Sequence, residues 1–130
     1  MPGPLGRDDE VERMAVLEWV TTGFLVLAMG GIGGMKLVGN EEGIKQAVRL
    51  GYDNIRIPIG IAEVLAAAGV LVGAAVNDLE WLGAVAAIGI IVMMIGAIGY
   101  HLRAGDRFEN IPAIAVIVAA VLYLVALNAS

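Results

Sequence analysis

The sequence predicts an all-α integral membrane protein: an antiparallel four-helix bundle with a short amphipathic helix in its first loop. Three observations predict it. Hydrophobic residues make up 59% and charged residues 16% of the 130-residue chain, with a mean hydropathy of +0.85. Soluble domains carry about 45–50% and about 25% respectively. Four apolar segments follow one another, at about residues 14–38, 57–76, 82–100 and 111–127, and about 20 residues at helical rise cover the hydrocarbon core of a bilayer. Glycine is abundant, at 18 residues, which suits helices that pack closely in lipid.

Composition also excludes. The absence of cysteine removes disulfides, thiol catalysis and thiolate metal sites. With a single histidine as well, no metal is expected; Met93 and Met94 read as gap-filling core residues. A net charge of −5 without a basic arm argues against nucleic acid. The opening MPGPLGRDDEVERM lacks the basic region of a secretory signal, so the first apolar segment is expected to be retained.

Residues 1–13 form a polar tail. Pro2, Gly3, Pro4 and Gly6 predict a disordered start, and Asp8 to Arg13 can begin a helix, with acids near its N-terminus. The first segment, Met14–Val38, carries Glu18, Thr21 and Thr22. Glu18 lies about one turn from the segment start, which predicts an interfacial side chain. Gly30 and Gly34 form a GxxxG pair suited to close helix contact. The GGIGG stretch is no phosphate loop: no strand precedes it and its spacing matches neither nucleotide motif. Between the first two segments, Glu41–Leu50 has the pattern of a surface-lying amphipathic helix, with Gly51 as its C-terminal cap.

The second segment, Ile57–Val76, places Pro58 in its first turn and Gly69 and Gly73 in a second GxxxG pair. The break Asn77–Trp81 is short enough to force antiparallel neighbours, and Trp81 is a natural interfacial anchor. The third segment, Leu82–Tyr100, ends in the small-residue stretch Gly96–Gly99. A polar turn, HLRAGDRFENIP, leads to the fourth, which Pro112 opens and which ends near Leu127.

Glu63 is the one charge within Ile57–Val76. A carboxylate at that depth must face a bundle interior, a partner or water, so it is the leading candidate for a functional residue. Four segments put both termini on one side with Arg7 and Arg13, and the first and third loops on the other with Lys36, Lys45, Arg49, Arg56, Arg103 and Arg107. The positive-inside rule makes those loops cytoplasmic and both termini external. Lys36, Arg56, Glu63, His101 and Arg103 then share one membrane half and form a candidate ligand-binding group. Two readings stand side by side. One is a pocket with Glu63 at its floor and cations at its mouth. The other is a single interhelical hydrogen bond from Glu63, with the cations reaching for phosphates. No residue is assigned a catalytic role.

GMKLVG at 34–39, LGYDNIRIPIGIAEVLAAAGVL at 50–71 and GYHLRAGD at 99–106 together resemble the DoxX-like family of small four-helix membrane proteins, across most of residues 23–127. Lys36, Gly39, Gly51, Gly60, Glu63, His101 and Arg103 occupy the motif positions. Asp53 departs from them, standing where a proline is frequent, and the break at 77–81 lacks the usual proline. The resemblance implies no single activity. The first expectation is an accessory or assembly partner of a membrane complex, quinone-linked redox complexes included, with no catalysis of its own. The second is a binder of a quinone or lipid amphiphile around Glu63, and the third a proton-coupled carrier. The expected surroundings are the bilayer and a membrane-protein partner or further copies of the chain. The binder requires an amphiphile-sized cavity reaching Glu63; a closed bundle with Glu63 bonded to a neighbouring helix argues against it.

Overall fold

The computed structural model describes the backbone of residues 4–39, 41–105 and 110–129 and the side chains from Glu10 to Asn128 within them. Residues 1–3, with Pro2 and Gly3 of the tail, lie outside the described residues, as does Arg107. Among the described residues five α-helices follow in order: α1 Pro4–Val38, α2 Glu41–Leu50, α3 Arg56–Ala75, α4 Glu80–Arg103 and α5 Ile111–Ala129. Single 3-10 turns, Asp53–Ile55 and Asn77–Leu79, precede α3 and α4. Four of the helices are long and apolar enough to cross a membrane: 10–38, 53–75, 77–103 and 111–128, where the α3 and α4 spans include the preceding turns.

Each transmembrane helix presents one stripe inward. On α1 the buried positions are Glu18, Thr21, Thr22, Leu25, Met29 and Gly33; on α3 they are Gly60, Glu63, Ala66, Ala67, Gly69, Val70 and Gly73. On α4 they are Gly83, Ala87, Ile90 and Met94, and on α5 Ala113, Val116, Ala119, Ala120, Tyr123, Ala126 and Leu127. The spacing of three and four keeps each set on one helical face. The remaining faces carry exposed Leu, Val and Ile, such as Leu27, Leu65 and Val92, as a lipid solvent allows. α1 packs on α3, α3 on α4, α4 on α5 and α5 back on α1.

Two crossings are backbone-close. A Cβ added at Gly33 of α1 would lie 2.8 Å from the Gly60 carbonyl oxygen and 3.0 Å from Glu63 Cβ. On the other side of the bundle, Gly73 of α3 meets Gly83 of α4, with the Tyr123 hydroxyl wedged against both. That hydroxyl donates to the Val70 carbonyl at 2.8 Å, which satisfies a phenol that is otherwise fully buried.

The helix ends follow local chemistry. α1 closes on Gly39, whose φ of +69° is the left-handed conformation that glycine adopts without cost. α2 occupies the expected residues and stops at Gly51, at φ +89°, where the Gly51 and Tyr52 amides both donate to the Ala47 carbonyl at 2.9 Å. Two boundaries differ most from the sequence reading. α1 begins at Pro4, since proline suits a first helical turn. α4 runs on to Arg103, because His101 and Arg103 complement the negative end of the helix dipole.

Glu18 also differs. It is 7% exposed and faces the bundle, whereas neighbouring Trp19 faces outward. Position along the chain sets depth, but the register with Thr22, Leu25 and Met29 sets direction, and that register points Glu18 inward. Thr22 donates its hydroxyl to the Glu18 carbonyl at 2.6 Å, and Thr21 to the carbonyls of Leu17 and Glu18. The threonines therefore satisfy themselves on their own helix.

Candidate functional site

The candidate residues meet where the last turn of α1 crosses the first turns of α3. The glycine pair Gly33–Gly60 allows the two backbones to approach. One turn beyond it on each helix, Lys36 and Glu63 face each other. Lys36 Nζ donates to Glu63 Oε1 at 2.5 Å. Glu63 is 1% exposed and the lysine side chain 17%, so the carboxylate is buried and the ammonium reaches it from the boundary. Glu63 Oε2 has no hydrogen-bond partner among the described residues. A charge-assisted bond serves one oxygen of the carboxylate and leaves the other bare.

Arg56 joins this pair through the backbone. Its guanidinium donates to the Lys36 carbonyl, one of the orphan acceptors at the α1 C-terminus, and lies against Gly39. A side chain at Gly39 would crowd that guanidinium, in addition to the strain of its φ. Arg56 therefore caps α1 and holds the turn that carries Lys36.

Tyr52 completes the site from above. It is buried, its ring centroid lies 5.5 Å from Lys36 Nζ, and this cation–π geometry favours the ammonium. Its ring also meets Tyr100 of α4 edge-on, at 5.7 Å between centroids and 61° between planes. Burial raises the Tyr52 phenol above its usual pKa, the Glu63 charge adds to this, and Arg56 partly opposes it. Tyr52 and Tyr100 are absent from the sequence-based group. The signal that could find them is an aromatic residue directly after a helix-capping glycine, and another beside His101.

Of the five candidates, the structure brings Lys36, Arg56 and Glu63 into one contact set. His101 is half-buried in the last turn of α4, next to Tyr100 in sequence, and Arg103 is exposed there. The glycines divide similarly. Gly69 and Gly73 lie at the α3–α4 crossing, and Gly30 is in ordinary contact range of Ala67. Gly34, Gly96 and Gly99 face open space; the tight approach of α1 to α3 falls at Gly33, one residue before Gly34.

Outside this site, a groove of about 430 Å³ runs between α3 and α4. Ala62, Ala66 and Gly69 line one wall and Ala86 and Gly89 the other. Leu65 and Val85, highly exposed, belong to the same surface. A second shallow depression lies along Ala15, Val16, Trp19 and Val20 of α1. Glu63 lines neither.

Comparison with curated proteins and with solved structures gave no match. The model of the DoxX-like family matches residues 20–126, a stretch that takes in Lys36, Tyr52, Arg56, Glu63 and most of the four apolar segments. The chain is thus a small integral membrane protein and belongs to the DoxX-like family.

Proposed function

We propose that this chain is an accessory membrane protein that packs against a transmembrane helix of a partner. The observation that carries this reading is the groove between α3 and α4. Small residues, Ala62, Ala66, Gly69, Ala86 and Gly89, make up part of its lining beside Leu65, Leu82, Val85 and Met93, and small residues let a second helix approach closely where lipid tails gain little from packing. The candidate polar site supports the same reading from the other direction. Its carboxylate is engaged by Lys36 and nearly inaccessible, so the pair is a contact between α1 and α3. An amphiphile held at Glu63 is the weaker alternative for that reason. The charge bias of the loops supports an orientation with Lys36, α2 and Arg103 at the cytoplasmic face and both termini outside.

The test uses the full chain in its native membrane. A photoreactive amino acid at Val85, exposed beside the groove, is expected to cross-link one membrane protein that also co-purifies with the chain. Gly89→Leu fills the groove, and an added Cβ there meets nothing within 4 Å; an unchanged unfolding transition is the control for the fold. That variant is expected to lose both the cross-link and the co-purification. Adducts to lipid alone, or a cross-link unchanged by Gly89→Leu, would refute the proposal.

A further inference from the structure

We propose that α2 and Tyr52 form a hinged latch that lifts from the bundle as one piece and admits water to the Lys36–Glu63 pair. The Gly51 and Tyr52 amides both donate to the Ala47 carbonyl at 2.9 Å, so Tyr52 moves with α2, and the piece hinges at Gly39, a glycine in the left-handed conformation at φ +69°. Such residues change φ and ψ at little steric cost. The attachment is separate from the main core. Ala47, Leu50 and Tyr52, packed on Ile59 and Tyr100, form a hydrophobic cluster of their own, while the cluster that joins α1, α3, α4 and α5 contains none of these residues. The latch can therefore part without loosening the four-helix core, as regions held by few buried contacts do.

The latch touches the ion pair directly. Tyr52 is the residue that lies over Lys36 and against Tyr100, so lifting α2 uncovers the ammonium and then the carboxylate beneath. Closure leaves Glu63 Oε2 buried and without a hydrogen-bond partner among the described residues. Water reaching that oxygen supplies the missing hydrogen bond, which removes a cost that only the closed form bears. The closed form rests on the small aromatic and aliphatic cluster, and the open form gains a solvated carboxylate. Ile44 and Val48, one turn apart and exposed, keep the lifted helix at the membrane boundary with Lys45 and Arg49 beside them.

Hydrogen–deuterium exchange of the full chain in lipid nanodiscs tests this. Amides of residues 44–52 are expected to exchange as one block, at least a hundredfold faster than those of residues 63–73 at the centre of α3. Tyr52→Ala removes the cation–π and edge-on ring contacts and is expected to speed that block about tenfold, with the α3 centre unchanged. The chain has no native cysteine, so an added thiol gives a second readout. Ile59→Cys, under the latch, is expected to react with a water-soluble maleimide slowly, and about tenfold faster with Tyr52→Ala. Gln46→Cys, on the exposed side, sets the unhindered rate. Exchange of the block only at the rate of the α3 centre would overturn the latch. So would an Ile59→Cys rate equal to that of Gln46→Cys, or no response to Tyr52→Ala in either readout.

Discussion

Lys36→Met, with Glu63 left in place, is expected to destabilise the bundle by about 3–5 kcal/mol. The ammonium and carboxylate lie 2.5 Å apart, which at an effective dielectric of about 20 is a gross attraction of about 7 kcal/mol. Desolvation of the two ions costs several kcal/mol each, and Glu63 is almost wholly desolvated at 1% exposure. The net worth of the pair is therefore near zero. Removing one partner is a different matter, since the attraction goes and the desolvation of the other stays. The double variant Lys36→Met with Glu63→Leu removes both ions and both penalties. It is expected to return to within about 1 kcal/mol of the parent or to exceed it by up to about 4 kcal/mol. Reversible unfolding of the four proteins in mixed micelles gives the coupling energy of the cycle. Two single variants that each cost under about 1 kcal/mol would refute the reasoning. A double variant whose loss equals the sum of the single losses would do so equally.

Other expectations follow from the same geometry and the same unfolding assay. Gly33→Val puts a branched side chain against the Gly60 carbonyl, a contact of 2.8 Å already at Cβ; it should cost more than about 2 kcal/mol by overpacking. Gly34→Ala meets nothing within 4 Å, and should be neutral or stabilising by up to about 1 kcal/mol through helix propensity. Tyr123→Phe removes the hydroxyl that bonds the Val70 carbonyl, and a loss of about 0.5–1.5 kcal/mol is expected. Tyr52 supplies a pH test. Its folded pKa is raised, so its protonated form is favoured by folding. That contribution is complete below the unfolded value of about 10 and is lost as pH rises through the folded one. Stability should therefore fall more steeply above about pH 10 in the parent than in Tyr52→Phe; parallel curves would count against the buried position of the phenol.

Much of the bundle was legible before any coordinates. Segment lengths and hydropathy predict four crossings because a bilayer imposes both on any helix that spans it. Glu63 could be singled out from one line of text, since a carboxylate at that depth needs a reason. Gly51 and Pro58 mark helix ends by backbone chemistry that acts within a few residues. Glu18 shows where such reading stops. Its depth follows from counting residues, but its burial depends on which face of α1 meets the bundle. The inward stripe from Glu18 through Thr22, Leu25 and Met29 to Gly33 carries that information, diluted by apolar residues on every other face. In lipid, a helix that is apolar all round gives little contrast between inside and outside.

The sequence by itself thus determined the class of the protein, the number of its crossings, the amphipathic helix between the first two and the residue most in need of a partner. These depend on the solvent and on local backbone rules, and both act on short stretches of chain. Tertiary structure alone decided that Lys36 is the partner of Glu63 and that Arg56 serves the end of α1. It also decided that Gly33, rather than Gly34, is where α1 and α3 touch, and that Tyr52 covers the pair. Those outcomes depend on the rotation of each helix about its own axis. Packing against neighbours sets that rotation, to within a fraction of the 100° that separates one residue from the next.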